Sequence, residues 1–144
     1  RGQRVGVLSG GLSSEREISD RSARAVLEVL RGRGYDALAI PTNREVAATL
    51  ARGGIQVAFN ALHGRYGEDG CIQGLLEMLG IPYTGAGVLG SALSMDKWLA
   101  QGILARCGLP TPPAVLIGAS DAAQWDRAFP AVVKPRGEGS SNGV

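Results

Sequence analysis

Four short apolar runs, separated by segments with helical spacing, constrain the fold of this chain more than any other feature. The runs are Val5–Leu8, Tyr35–Ile40, Val57–Asn60 and Ile81–Tyr83. Short apolar runs that are bounded by turn residues are typical of strands buried in a parallel sheet. Because strand and helix alternate along this part of the chain, the sequence predicts a doubly wound α/β fold.

Three helices are predicted between these strands. Ser14 and Glu17 match a capping box, which predicts that a helix begins at Ser14, and Gly34 is expected to end that helix. Alanine and leucine residues predict a second helix over Glu45–Arg52. A third helix is expected over Ile72–Leu79, directly before a glycine.

The pattern changes after Val88. Residues 88–107 are predicted to be mostly helical, with a break near Met95 and Asp96. The prolines in Leu109–Pro113 cannot continue a helix, so this segment is expected to be an extended connector. The elements predicted after it are a strand over Ala114–Ile117, a short helix from Asp121 to Arg127 and a strand over Ala131–Lys134.

We place a domain boundary in this region. Residues 1–93 are expected to form a Rossmann-like N-terminal domain, and residues 94–144 are expected to begin a second domain. The sequence has no initiator methionine, and Val144 directly follows a loop rich in glycine and serine. We therefore expect the chain to be the front part of a longer protein.

Composition argues against several classes of partner. The 15 basic and 13 acidic residues nearly cancel, and aromatic residues make up only 5%, so neither phosphate neutralisation nor base stacking is favoured and no nucleic-acid partner is expected. No apolar stretch approaches the length of a membrane span. Cys71 and Cys107 lie in no metal-ligand spacing, so neither a zinc site nor a disulfide framework is expected and a cytoplasmic location is favoured.

The loop after the first strand holds the first candidate binding residue. In a doubly wound fold, ligands bind at the carboxyl ends of the strands, and Gly10–Glu17 follows such an end. This segment is not a GxGxxG motif, and acidic residues at a helix start would repel a pyrophosphate. Glu15 would suit a cation such as the ammonium group of an amino acid. Alternatively, Glu15 and Glu17 only stabilise the start of the helix.

The only histidine of the chain, His63, lies in the loop after the third strand, at the sheet edge where Glu15 is expected. The loop runs from His63 to Gly70 and contains three glycines and two acidic residues. A hydrogen bond between His63 and Glu68 could orient the histidine. Alternatively, Glu68 and Asp69 are only the acidic first turn of the next helix.

A third candidate segment, Lys134–Gly143, places a lysine at a strand end before glycines and serines. One fixed positive charge followed by free backbone N–H groups suits a polyphosphate. It is not a Walker A loop, because the lysine precedes the glycines, and a flexible surface turn would have a similar composition. Lys97 is a second candidate lysine, although a lone helical lysine is usually only a solvated side chain.

Five segments then occur in a fixed order along the chain. They are Glu15-Arg16-Glu17, His63-Gly64 with Gly67-Glu68-Asp69-Gly70 and Gln73-Gly74, Pro82-Tyr83-Thr84-Gly85, Ser94-Met95-Asp96-Lys97, and Lys134-Pro135 with Glu138-Gly139-Ser140-Ser141. In order and identity these segments resemble the D-alanine–D-alanine ligases, over nearly the whole chain. The HGxxGEDG and MDK segments are specific to this family and its D-alanine–D-lactate relatives.

The resemblance implies a three-domain ATP-grasp enzyme that works in the cytoplasm as a homodimer on peptidoglycan precursors of the cell wall. Residues 1–93 would be its pre-ATP-grasp domain, and residues 94–144 the start of its central ATP-grasp domain. ATP would phosphorylate one D-alanine, and a second D-alanine would attack the acyl phosphate. The Mg²⁺ or Mn²⁺ ligands are expected beyond Val144, so no metal site and no ligase activity are expected of this stretch alone.

The resemblance also implies roles for individual residues in binding the first D-alanine. The glutamate that matches Glu15 holds the ammonium group, and Ile18 stands at a position that lines the same subsite. The histidine that matches His63 lies beside the substrate carboxylate. The resemblance implies for Glu68 only a supporting role, next to residues that contact the substrate.

For the nucleotide, the resemblance implies that Lys97 and Lys134 contact phosphates. The loop that begins with Glu138 and Gly139 would close over the γ-phosphate with its backbone N–H groups. Ser140 would join a hydrogen-bonded catalytic set with Glu15, and Ser141 would belong to the same nucleotide-binding loop.

The sequence departs from the family at one place and leaves two other functions open. Arg136-Gly137 replaces the serine and basic residue expected after Lys134-Pro135, so the loop's stiffness and basic contact are in doubt. One alternative function is a D-alanine–D-lactate ligase, which differs only in the second substrate. The other is a non-catalytic nucleotide-binding or interaction module.

Overall fold

The computed structural model describes residues 2–118, 129–139 and 143–144. Three strands, β1 (Arg4–Gly10), β2 (Asp36–Thr42) and β3 (Val57–Asn60), form a parallel sheet in the order β2-β1-β3. The parallel α/β fold predicted from the sequence is confirmed. The fourth predicted strand is reduced to one parallel bridge between Ala58 and Tyr83.

Helices connect and follow these strands. They are α1 (Arg16–Gly32), α2 (Val46–Arg52), α3 (Cys71–Met78), α4 (Val88–Met95) and α5 (Lys97–Arg106). The three helices predicted within the N-terminal part are therefore confirmed, apart from small shifts at their ends. No helix among the described residues combines the length and the apolar character needed to cross a bilayer.

The sheet is covered on both faces, as a doubly wound fold requires. Side chains alternate along β1, so that Val5 and Val7 pack in one cluster with Leu27 of α1, whereas Leu8 packs in another with Leu50 of α2 and Leu76 of α3. Each buried side chain of this size contributes roughly 1.5–3 kcal/mol through the hydrophobic effect. These two clusters hold the carboxyl ends of the strands in place below the loops.

The start of α1 differs from the predicted capping box. The helix begins at Arg16, and its N-cap residue is Glu15, whose side chain makes no capping hydrogen bond. The hydroxyl of Ser13 instead accepts from the backbone N–H of Glu15 at 3.2 Å and donates to the carbonyl of His63 at 2.8 Å. The N-cap position therefore lies at Glu15, one residue later than the capping box predicted.

The break predicted near Met95 and Asp96 is confirmed, and its cause is visible in the backbone. Asp96 is extended (φ −88°, ψ 100°), and its Oδ1 accepts from the backbone N–H of Leu99 at 3.0 Å. An aspartate in this position satisfies one of the free N–H groups at the start of a helix. Lys97 is therefore the first residue of α5.

The strands predicted over Ala114–Ile117 and Ala131–Lys134 were wrong, since neither segment forms a strand in the described part of the chain. Val132 and Val133 are 71% and 66% exposed. A strand needs a neighbouring backbone as well as apolar side chains, and no described residue pairs with these segments. Leu109–Pro113 is non-helical, as predicted, and the predicted helix over Asp121–Arg127 lies outside the described residues. The domain boundary in the low nineties stays a prediction.

Candidate active site

Two loops meet at the carboxyl ends of β1 and β3. The loop after β1 carries Ser13 and Glu15, and the loop after β3 begins with His63. Ser13 joins them through its hydrogen bond to the His63 carbonyl. Close by, the buried hydroxyl of Ser19 in α1 donates to the carbonyl of Ala61 at 2.8 Å. These two bonds attach the start of α1 to the second loop.

The side chain of Glu15 lies where these loops meet. It is only 3% exposed, and neither carboxylate oxygen has a hydrogen-bond partner among the described residues. A Cβ built on Gly64 would lie 2.5 Å from Oε2, and one built on Gly139 would lie 3.3 Å from Oε1. The backbones of two loops that are distant in sequence thus lie against one buried carboxylate, which leaves little space for a side chain at Gly64.

This arrangement bears on the two interpretations of Glu15, and the role of Glu15 in binding a substrate stays a prediction. A carboxylate out of water without a partner is costly, and it becomes favourable when a cation or hydrogen-bond donors reach it. Because the side chain makes no capping bond, support of the helix start does not explain its burial. Ile18, one turn further along α1, is half-buried. The site at Glu15 therefore suits a small cationic ligand such as an ammonium group.

The predicted hydrogen bond between His63 and Glu68 is not formed. Glu68 Oε2 instead accepts from the backbone N–H of Gly64 at 2.6 Å, which closes the loop on itself. The imidazole Nε2 of His63 lies 3.3 Å from the hydroxyl of Ser22 on α1. The prediction was wrong because a backbone N–H four residues back lies closer to the carboxylate than the imidazole does.

Asp69 shapes the rest of the second loop. Its two carboxylate oxygens accept from the backbone N–H groups of Tyr66 at 2.9 Å and Cys71 at 3.2 Å. Burial alone would raise the pKa of this carboxyl, but the hydrogen bonds from Tyr66 and Cys71 outweigh it and hold the pKa below its ordinary value. Tyr66 has a positive φ of 66°, which is uncommon for a residue other than glycine. Asp69 thus connects this turn to the start of α3.

Two amides that the sequence analysis assigned no role also support the loop. Asn60 Nδ2 and Gln73 Nε2 each donate to the carbonyl of Gly67 at 2.9 Å. Gln73 is only 3% exposed. The signal that could have identified them is a polar residue inside an apolar element, since Asn60 ends a buried strand and Gln73 lies within an apolar helix.

The predicted nucleotide residues lie around α5 and the segment 134–139. The backbone N–H of Lys97 donates to the carbonyl of Arg136 at 3.0 Å, and its Nζ donates to the carbonyl of Glu138. Lys134 is exposed and makes no hydrogen bond or ion pair with a described residue. Gly139 then reaches Glu15. The structure therefore brings Lys97, Glu138, Gly139 and Glu15 together, whereas Lys134 is free to meet a ligand.

Ser140 and Ser141 lie outside the described residues. Among the residues that the structure does describe, no cluster of three or more histidine, cysteine, aspartate or glutamate side chains could hold a metal ion. The described residues of the site provide one buried carboxylate, two lysines and a glycine-rich backbone segment. These groups suit an ammonium group and phosphates respectively.

Comparison with known proteins finds similarity to one family of ligases. The family model described as "D-ala D-ala ligase N-terminus" matches residues 43–86. The D-alanine–D-alanine ligase of Desulforudis audaxviator is 54% identical over 99% of this chain, and that of Geotalea uraniireducens is 52% identical over 99% of it. Nearly the whole chain is similar to part of the D-alanine–D-alanine ligases. It covers 48% and 47% of these two ligases, so it spans about half the length of the relatives that it matches.

Solved structures of the D-alanine–D-alanine ligase family have the same fold. The ligase of Bacillus anthracis is 36% identical and has a TM-score of 0.80, over 97% of this chain and 47% of the other. The same ligase complexed with ATP is 35% identical with a TM-score of 0.78, over 95% and 48% of the two chains. The likeness therefore extends beyond the sheet into the segment that follows α5.

Proposed function

We propose that this chain provides the first substrate site and part of the nucleotide site of an ATP-dependent D-alanine–D-alanine ligase. The observation that carries the proposal is the carboxylate of Glu15, which is buried where three backbone segments meet and has no partner among the described residues. Similarity to the D-alanine–D-alanine ligases supports the same function. The proposal concerns the whole protein, of which this chain is similar to about half.

Glu15 accounts for recognition of the first amino acid. An ammonium group has three donors, and a buried carboxylate with both oxygens free can accept two of them at short range. His63 lies in the same loop as Gly64, so a D-alanine bound to Glu15 would present its carboxylate near the imidazole. Ile18 would contact the methyl group from α1. A side chain at Gly64 would displace the Glu15 carboxylate from this position.

The reaction that follows is phosphoryl transfer and then amide formation. A carboxylate oxygen of the first D-alanine attacks the γ-phosphorus of ATP, the bond to ADP breaks, and an acyl phosphate forms. The amine of a second D-alanine then attacks the acyl carbon, loses a proton, and phosphate leaves with the bonding electrons. Both anions in the first step repel each other, so cations and backbone donors are what the reaction needs from the protein.

Lys97 and Lys134 supply the positive charge in this proposal. Lys97 lies against the carbonyl of Glu138, and Lys134 makes no hydrogen bond or ion pair with a described residue. The loop from Glu138 to Ser141 would provide backbone N–H groups to the γ-phosphate and exclude water from the acyl phosphate. Ser140 would hydrogen-bond to Glu15 and connect the two halves of the site.

A divalent cation, Mg²⁺ or Mn²⁺, would neutralise phosphate charge when it is bound. The described residues do not fit a site for it, because they contain no suitable cluster of ligands. No step is therefore assigned to the metal here. By the family resemblance, we also propose that the enzyme is a cytoplasmic homodimer that makes D-alanyl-D-alanine for peptidoglycan, and thereby contributes to cell shape.

Product analysis tests the proposed function. The intact gene product is incubated with ATP, Mg²⁺ and D-alanine, with and without D-lactate, and the products are identified by mass spectrometry. We expect D-alanyl-D-alanine in both mixtures. A depsipeptide as the main product would indicate the D-alanine–D-lactate activity instead. Nucleotide binding without any condensed product, from a folded protein, would indicate a non-catalytic module.

A further inference from the structure

A single carboxylate connects the start of α5 to the glycine-rich segment. Oδ1 of Asp96 caps α5 through Leu99, while Oδ2 accepts from Nε of Arg136 at 2.6 Å and lies 2.5 Å from its Nη2. The hydrogen bond from Arg136 is the main cause of the lowered pKa of Asp96, with the backbone N–H of Leu99 next. The ion pair is therefore present throughout the neutral pH range.

Lys97, the residue after Asp96, also contacts the segment that begins with Arg136. Lys97, next to Asp96, donates its backbone N–H to the carbonyl of Arg136 and its Nζ to the carbonyl of Glu138. Three independent contacts thus join residues 96–97 to residues 136–138. All three lie within one turn of Lys97, the first residue of α5.

The same segment ends beside the carboxylate of Glu15. Gly139, one residue after Glu138, lies against Glu15. Residues 136–139 therefore connect the start of α5 to the loop that carries Glu15. The side chain of Asp96 is only 21% exposed, so water and salt screen this ion pair less than a freely exposed one, although Arg136 is 49% exposed.

We propose that Asp96 and Arg136 are positioning residues, whose ion pair holds the glycine-rich loop over the start of α5 and so presents Lys97 to a nucleotide phosphate. In this arrangement Lys97 exchanges the carbonyl of Glu138 for a phosphate oxygen when ATP binds, while the ion pair keeps the loop in place. The inference rests on the proposed function, because it assigns the phosphate to ATP. It also gives a role to Arg136, where the sequence departs from the family pattern.

A double-mutant cycle tests the proposal in the intact gene product. The variants are Asp96→Asn, Arg136→Gln and the double variant; asparagine keeps an oxygen to cap α5, so the cap is preserved. Calorimetry measures the dissociation constant of ATP, and steady-state kinetics measure KM for ATP and kcat. We expect each single variant to weaken ATP binding about two- to fivefold, and the double variant to be no weaker than the weaker single variant.

Two controls separate positioning from a general loss of structure or charge. Arg136→Lys keeps a cation and should restore most of the affinity for ATP, whereas Arg106→Gln removes the same charge from the other end of α5 and should leave it unchanged. The midpoint of thermal unfolding should be the same in all variants. In roughly 1 M salt, the ratio of variant to wild-type dissociation constants should approach one, because screening removes the advantage of the ion pair.

The outcomes are distinguishable from failure of the proposed function. D-alanine-dependent ADP release by the wild-type protein is measured first, and its absence together with absent ATP binding contradicts the proposed function and this role with it. If the wild-type protein is active, unchanged affinity in both single variants overturns the positioning role alone. Independent effects that multiply in the double variant, or an equal loss in Arg106→Gln, overturn it as well.

Discussion

The backbone of Gly64 lies directly against the carboxylate of Glu15: a Cβ built on Gly64 would be 2.5 Å from Oε2, closer than real side chains approach. Gly64 also has a φ of 70°, in the left-handed region. The glycine is therefore required twice, by its backbone conformation and by its neighbour. The loop after β3 and the start of α1 form one unit, built around a carboxylate that has no partner among the described residues.

Gly64→Ala should disturb both stability and substrate binding. The left-handed backbone alone is expected to lower the free energy of unfolding by about 1–2 kcal/mol. The added methyl group would also displace Glu15, so KM for D-alanine should rise. Gly80→Ala is the matched control, because Gly80 has a similar φ of 65° and open space around its Cβ position. Equal effects of the two substitutions on KM and on thermal unfolding would contradict the close packing of Gly64 on Glu15.

Glu15→Gln should separate binding from stability. The amide keeps the shape but cannot neutralise an ammonium group, so KM for D-alanine should rise about ten- to a hundredfold. The free energy of unfolding should stay the same or increase, because a buried charge without partners is replaced by a neutral group. Glu17→Gln, an exposed glutamate two residues later, should change neither quantity. A Glu15→Gln protein with wild-type KM would remove Glu15 from the substrate site.

Glu68 should act through the backbone of Gly64 rather than through the substrate itself. Glu68→Gln keeps an oxygen that can accept from the Gly64 N–H and should have a small effect, whereas Glu68→Ala releases the loop. We expect Glu68→Ala to raise KM for D-alanine several-fold and to speed hydrogen exchange of the Gly64 amide. If Glu68→Gln were as impaired as Glu68→Ala, the charge of Glu68 would be acting on the ligand directly.

Asp69 predicts a dependence of stability on pH. Its pKa is held below the ordinary value of 3.8 in the folded protein, so its contribution is complete above that value and is lost as the pH falls through the folded pKa. Asp69→Asn should therefore be less stable than the wild type at pH 7, on the order of 0.5–1 kcal/mol because the group is partly exposed. Urea unfolding should show this difference shrinking below about pH 4. A difference that stays constant down to pH 2 would contradict the assignment.

Much of the fold could be predicted from local patterns. The bounds of β3 coincide with the predicted strand over Val57–Asn60, because an apolar run between turn residues has few other stable arrangements. The break at Asp96 was also predictable, since an aspartate beside a helix start has a clear capping function. The strands predicted over 114–117 and 131–134 failed because apolar composition does not provide the neighbouring strand that a sheet needs.

The sequence predicted which loops of the candidate site lie together, but not the contacts between them. Glu15 and His63 were identified from their places after strands and from the family resemblance, and the structure places their loops together. The sequence could not show that Glu68 binds the Gly64 N–H instead of His63, because both partners lie within a few residues of it. Nor could it pair Asp96 with Arg136, which lie far apart in the chain and meet only in the folded protein.

The most direct test of the central claim is ADP release by the intact gene product with ATP and Mg²⁺, comparing D-alanine with L-alanine. The proposed subsite contacts the ammonium group through Glu15, the carboxylate through His63 and the methyl group through Ile18. Three separate contacts distinguish enantiomers, so we expect release that requires D-alanine and is not supported by L-alanine. At a D-alanine concentration near the KM of the wild type, the Glu15→Gln variant should release little ADP. ADP release that is absent with D-alanine, or equal with both amino acids, would contradict the assignment of this chain to a D-alanine–D-alanine ligase activity.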